Sequence, residues 1–373
     1  MREVGVNEDA PRAPRADEFN ELVAQVNRVM REEVGAAPTY GEEWPRIYCL
    51  ENLENIRVIR ADGRIVSSAA IYPHEVRFGD ARLRVGGITG VATDSAYRRR
   101  GYGTRVMEAC IERMGELGCQ LSLLGSGVPS WYRKLGWEYA GVERRYQFSR
   151  GNRRLLPTDR DLVMRAVEDG DFETLAAIHT ARSLGGVRSA DLLRSMWSPK
   201  PRAAVWVALR DGEVGAYLRV RGTSVTEYGG PAKLVLPMLA RLLESWDDPA
   251  VPTSTRSIEE RQVNTKPTVH ASLDAPWRPD DVTEALDAMG ILRSAGYVRM
   301  IRIEDPQGLL RAYGRTDLNA RADGDRIVVE TGDRTLRLSR TDAVKLFFGP
   351  ERPVQPDVAG LPFVFHVWLA DRV

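Results

Sequence analysis

What this chain lacks narrows its class before any motif is read. Its 53 basic and 52 acidic residues nearly cancel, so no net field draws it to nucleic acid or an anionic membrane. No apolar run comes near the ~18 residues of a membrane helix, and residues 1–20 hold no signal-type apolar core. The expected setting is therefore the cytoplasm, with no membrane partner. Cysteine is scarce: Cys49, Cys110 and Cys119 form no CxxC pair and read as small core residues. His74, His179, His270 and His366 are scattered without ligand spacing, and no metal is expected.

What remains is a globular composition, 43% hydrophobic and 28% charged, over 373 residues. That length suits two or three domains. Its most informative stretch is residues 86–103, a β-prone run leading into Arg98-x-x-Gly101-x-Gly103. An amphipathic helix follows, with Val106, Cys110, Met114 and Leu117 near one face and Gly118 as its stop. Two glycines and a row of amides at a helix start form an anion site, because no side chain blocks the phosphate and the helix dipole favours it. The next segment, residues 119–124, reads as a short buried strand, which completes a βαβ unit.

A dinucleotide loop would require a third glycine where Val106 stands, and a P-loop would require Gly-Lys-Ser or Gly-Lys-Thr, which is absent. The order of Val-Ala-Thr strand, arginines, spaced glycines and helix instead resembles the coenzyme A motif of the GNAT family of N-acetyltransferases. A second run strengthens the likeness: Trp131-Tyr132-Arg133-Lys134-Leu135-Gly136-Trp137 follows Gly125-Ser126-Gly127. The resemblance implies acetyl-CoA as co-substrate, with the backbone of Val91, Ala92 and Thr93 polarising the acetyl carbonyl. It further implies Arg98, Arg99, Arg100, Gly101, Tyr102, Gly103 and Thr104 around the pyrophosphate, and Ser126 and Gly127 beside the pantetheine arm. Tyr132 would return a proton to the leaving thiolate; the other reading makes it a half-buried aromatic that shapes the pocket.

Around the motif, residues 19–32 carry a helical apolar repeat, with residues 2–6 the candidate strand before it. Residues 56–60 and 65–72 flank an Asp62-Gly63 hairpin turn. The pattern recurs weakly at Asp211-Gly212, with strand 225–229 and helix 232–246 after it but no Arg-x-x-Gly-x-Gly, so no coenzyme is expected there. The third segment reads as strand 297–303, helix 306–313, a hairpin around Gly332-Asp333 and a helix 341–348 capped by Thr341. The chain closes on an apolar, aromatic segment, for which burial is the simplest account.

The whole resembles the enhanced-intracellular-survival family of bacterial acetyltransferases. The fold class so implied is mixed α+β and α/β: a catalytic GNAT domain (1–150), a degenerate GNAT-like domain (151–285) and a sterol-carrier-like domain (286–373). That family places its C-terminal carboxylate, here on Val373, in the first domain's site as general base, and forms homo-oligomers, specifically hexamers. The loop before Tyr132 has Pro129 and lacks the acid often found there. The implied reaction is acetyl transfer to a primary amine, an aminoglycoside-like small molecule or a lysine, without a metal. Glu32, Glu33, Glu42 and Glu43 are either acceptor-attracting acids or, more simply, a solvated helix end. The alternative function is a non-catalytic acyl-CoA sensor or lipid carrier, with Phe347, Phe348, Phe363, Phe365 and Trp368 lining a pocket. Arg98–Arg100 alone make too small a basic footprint for nucleic acid.

Overall fold

The computed structural model describes residues 8–149, 151–197, 204–246, 271–332, 334–351 and 358–372. The candidate strand at residues 2–6 lies outside them. Glu8 and Arg12 form bridges to the first strand instead.

The first half runs α1 (Phe19–Met30), α2 (Tyr40–Glu43), β1 (Ile56–Ala61), β2 (Arg64–Phe78), β3 (Ala81–Thr93), α3 (Tyr102–Glu116), β4 (Leu121–Leu124), α4 (Pro129–Lys134) and β5 (Glu138–Phe148). The second runs β6 (Val163–Ala166), α5 (Phe172–Ala181), β7 (Leu184–Gly186), α6 (Ala190–Trp197), β8 (Ala204–Arg210), β9 (Glu213–Arg221), β10 (Ser224–Gly229), α7 (Ala232–Trp246) and β11 (Ala271–Pro276). Then come α8 (Asp281–Ala288), β12 (Arg293–Ile303), α9 (Pro306–Ala312), β13 (Asn319–Asp323), β14 (Arg326–Thr331), β15 (Arg334–Ser339) and α10 (Arg340–Phe348).

Local chemistry accounts for the main turns. Asp62 and Gly63 both take positive φ (52° and 78°), as do Asp211 and Gly212 (52° and 84°). These are the two-residue hairpin turns that match strand twist. On α3, Val106, Met107, Cys110 and Met114 are buried against the sheet. A Cβ on Gly86 would come within 2.6 Å of the Met114 sulfur, so a glycine in β3 sets how closely this helix packs. One expected cap differs: α10 begins a residue earlier, and Ser339, not Thr341, accepts the Asp342 amide at 3.1 Å. Ser339 is the last extended residue before the helix, which is where a capping oxygen can reach back.

Among the described residues, twelve strands share one sheet, ordered β1-β2-β3-β4-β12-β5-β11-β10-β9-β8-β6, with β7 attached to β2. The join between the halves is an exchange. β12 lies between β4 and β5, pairing Met300 with Leu124 and Arg299 with Ala140. The far end of β5 reaches the second half, pairing Ala271 with Phe148. The segment after residue 285 therefore does not stand apart, because its first strand completes the main sheet. Its remainder, β13-β14-β15 with α9 and α10, packs on the sheet through one apolar cluster that includes Phe347, Phe348, Phe363 and Phe365. Those four rings are buried in mutual contact, and their role is core packing.

Candidate active site

β3 and β4 are parallel and pair only from Val85–Leu121 to Gly87–Leu123. β3 then runs on to Thr93 while β4 stops at Leu124. Past that pairing the β3 edge has no second strand partner among the described residues, which leaves the backbone of residues 88–93 as the candidate wall of a cleft. On its other edge β3 carries a bulge: Ala70 faces Thr89, yet Ser68 faces Ala92, so β3 has one residue extra. Gly90 in that bulge has φ +59°, and a Cβ there would lie 1.9 Å from the Tyr48 hydroxyl. Only glycine permits both.

An aromatic cage rests on the bulge. The Gly90 amide donates to the Tyr40 hydroxyl at 3.1 Å, which shares a 2.7 Å hydrogen bond with the Thr89 hydroxyl. Asn27 of α1 receives the Tyr40 amide at 2.7 Å and so fixes the start of α2. Burial drives the Tyr48 phenol well above its ordinary range, and its oxygen has no hydrogen-bond partner among the described residues.

At the mouth of the cleft, Gly101 caps α3 with φ 83°, and no side chain caps the first turn. A Cβ on Gly101 would meet nothing within 4 Å, and one on Gly103 would sit 3.5 Å from the Thr93 hydroxyl and 3.6 Å from the Trp131 ring. The first-turn amides thus have no capping side chain, the arrangement that can receive a phosphate. Residues 10–140 match the acetyltransferase (GNAT) domain.

This part of the chain is similar to a GNAT acetyltransferase domain.

It marks the chain as an acyltransferase, and the family uses acetyl-CoA as co-substrate. No curated protein sequence matches the chain. Solved structures share the fold along nearly its whole length. A GCN5-related N-acetyltransferase from Kribbella flavida is 16% identical, with TM-score 0.59, covering 91% of this chain and 85% of that one. A second, from Anabaena variabilis, is 12% identical with TM-score 0.61, covering 91% and 90%. Eis1 from Mycobacterium abscessus is 15% identical with TM-score 0.58, covering 92% and 89%.

The expected site residues of the GNAT domain are placed unevenly. Val91, Ala92 and Thr93 line the free end of β3, and Tyr102, Gly103 and Thr104 form the first turn of α3. Arg98 is committed elsewhere: it donates to the Thr93 carbonyl at 3.0 Å and pairs with Glu33. Arg99 and Arg100 are exposed at the turn, Arg100 lying 5.3 Å from the Tyr97 ring. The Tyr102 hydroxyl is tied to Glu8 at 2.6 Å. Ser126 turns its hydroxyl to the Val128 amide (2.8 Å), and Gly127 is open. Tyr132 is 7% exposed, and its ring meets Trp131 and Trp137 edge to face. Burial, with Tyr40 nearby, pushes its phenol up to about 12, and no described residue hydrogen-bonds its hydroxyl. Val373 lies outside the described residues.

Of the acidic candidates, Glu33 pairs with Arg98 and Glu43 with Arg31. Glu32 and Glu42 are solvent-exposed. Sequence reading missed Tyr40, Tyr48 and Asn27, whose only signal is Gly90 inside a strand pattern, a mark of a bulge. It also missed Arg188 and Asp371. Asp371 accepts from Arg188 at 2.7 Å and from the Gly186 amide at 3.0 Å, while Arg188 also reaches Glu227 at 2.8 Å. This pair fastens the C-terminal segment to β7, and through it to β2.

Proposed function

We propose that the chain is an N-acetyltransferase that moves an acetyl group from acetyl-CoA to a primary amine, of a small molecule or a lysine, by direct attack in a ternary complex. The observation that carries this reading is the stretch of β3 left without a β4 partner beside an uncapped, glycine-started helix, with the buried Tyr132 ring packed on Trp131 next to Gly103. The α3 turn would take the pyrophosphate on its amides, and the β3 backbone at residues 91–93 would donate to the thioester oxygen as it gains negative charge. The amine nitrogen attacks the carbonyl carbon, the carbon–sulfur bond breaks, and Tyr132 gives its proton to the sulfur. Burial keeps Tyr132 protonated, as a donor must be.

The amine must first lose a proton, and we assign that task to the carboxylate expected at Val373, on family resemblance. Support comes from the residues before it: Asp371 and Arg372 are buried, and Asp371 acts electrostatically on Arg46 and His74 of the GNAT domain. The residues 1–150, 151–285 and 286–373 are proposed as functional units within the shared sheet, the second without coenzyme. Incubation with acetyl-CoA and an amine panel, read by a thiol reporter, tests the activity. Thiol release that depends on an amine supports it, and silence with every amine refutes it.

A further inference from the structure

The bulge in β3 breaks an otherwise regular ladder, and one phenol holds it. Between the pairs Ala70–Thr89 and Ser68–Ala92, β3 sets Gly90 and Val91 opposite the single residue Ala69. Successive amides along a strand point to opposite edges. The extra residue therefore decides which amides beyond it turn towards β2 and which turn away. The Asp94 amide bonds the Val66 carbonyl of β2 at 2.9 Å. Counting back, the Ala92 amide shares that side. The Val91 and Thr93 amides then point to the edge that carries no second strand among the described residues. One residue fewer would exchange the two sets.

A bulge takes an amide out of the ladder, and a buried amide needs another acceptor. For Gly90 that acceptor is the Tyr40 hydroxyl at 3.1 Å, which also shares a 2.7 Å hydrogen bond with the Thr89 hydroxyl. Tyr40 is itself firmly held. Its amide donates to the Asn27 side chain at 2.7 Å, its ring meets those of Trp44 and Tyr48, and the Arg31 guanidinium lies 4.6 Å from its centroid. We propose that Tyr40 is a positioning residue of the transfer step: its hydroxyl pins the Gly90 amide and so keeps the Val91 and Thr93 amides aimed at the thioester oxygen. This deepens the acetyltransferase reading and rests on it. Donors aimed beforehand lose nothing to reorganisation as charge develops, so a small drift of the bulge slows the step without weakening coenzyme binding. A ring needed only for packing would serve equally well as phenylalanine, and the hydroxyl is therefore the atom to remove.

Isotope-edited infrared spectra read that aim directly, using acetyl-CoA labelled with carbon-13 at its acetyl carbonyl and bound to the full chain without any amine. In the wild type the bound carbonyl band should lie below that of free acetyl-CoA, and Tyr40→Phe should return it towards the free value. Thr89→Val, which removes the other partner of the same hydroxyl, should shift the band the same way. Tyr313→Phe loses a comparable bond, to the Val364 carbonyl at 2.9 Å in the cluster around α9 and α10, and should leave the band in place. In the thiol-release assay, Tyr40→Phe should lower kcat by about tenfold or more, with KM for acetyl-CoA held within about twofold. A band that does not move in Tyr40→Phe overturns the proposal, as does a wild-type band no lower than that of the free coenzyme. A joint fall in coenzyme affinity and thermal midpoint overturns it too, since the hydroxyl would then serve only the fold. The infrared result stands apart from the parent reading. A band lowered in the wild type and recovered in Tyr40→Phe supports the positioning role even if no amine is acetylated.

Discussion

Tyr132 shows what a single residue owes to its surroundings. Its phenol is packed between two tryptophans and held near a pKa of about 12 by burial, so it stays protonated throughout the neutral range. Removing it as Tyr132→Phe should lower kcat by roughly 10²-fold, the usual lower end for a positioned proton donor. The affinity for acetyl-CoA, measured by calorimetry, should stay unchanged. Because the shift is upward, Tyr132 should contribute no alkaline loss of activity below about pH 10, and a wild-type limb at lower pH would belong to another group. The proposed donor was singled out in sequence by the Trp131-Tyr132 run four residues before Gly136. Tyr40 and Tyr48 were not, since they reach the bulge from a separate element and only packing joins them.

At the scale of elements, two helix starts on the same sheet have opposite fates. The first turn of α3 is open, whereas the Ala232 amide at the start of α7 is already taken by the Asp281 carboxylate at 2.6 Å. An anion site can hold one anion, so calorimetry should find one acetyl-CoA per chain. At α3, Gly103→Ala adds a Cβ at ordinary contact distance from Thr93 and Trp131. The thermal midpoint should hold or rise slightly, as Gly-to-Ala in a helix usually gives about 0.5–1 kcal/mol. Affinity for acetyl-CoA should nonetheless fall about tenfold, because a Cβ displaces phosphate from the amides. Loss of stability instead of affinity would show that the glycine serves packing. The Arg-x-x-Gly-x-Gly signal precedes the first helix start and is missing before the second. That Asp281 fills the second could not be read, as it comes from a segment 49 residues later.

For the whole molecule, the C-terminal segment works as a fastener between halves. Gly186 admits it, since a Cβ there would fall 2.2 Å from the Asp371 carboxylate. Burial alone would raise the pKa of Asp371 and of Glu227, but the Arg188 charge outweighs it and holds both carboxylates well below their usual range. Their contribution to stability is therefore present above the unfolded carboxylate values near pH 4 and disappears as pH falls through the lower folded ones. Chemical denaturation should show this network's share constant above about pH 5 and declining below pH 4. Asp371→Asn leaves a buried guanidinium short of a partner and should cost about 3 kcal/mol or more, with the pH dependence flattened in the same range. Gly186→Ala should destabilise by about 1–3 kcal/mol through overpacking.

The sequence by itself determined what depends on near neighbours along the chain. Hairpin turns at Asp62-Gly63 and Asp211-Gly212, the face of α3, the glycine turn that starts it and the Tyr132 run are all set by residues a few positions apart. Their φ preferences, periodicity and helix-start chemistry act locally. Tertiary structure alone decided which strands exchange between the halves, that β12 completes the sheet beside β4, and that Arg188 binds Asp371 from 183 residues away. Those outcomes depend on burial and on distances across space, which no spacing in a linear chain encodes.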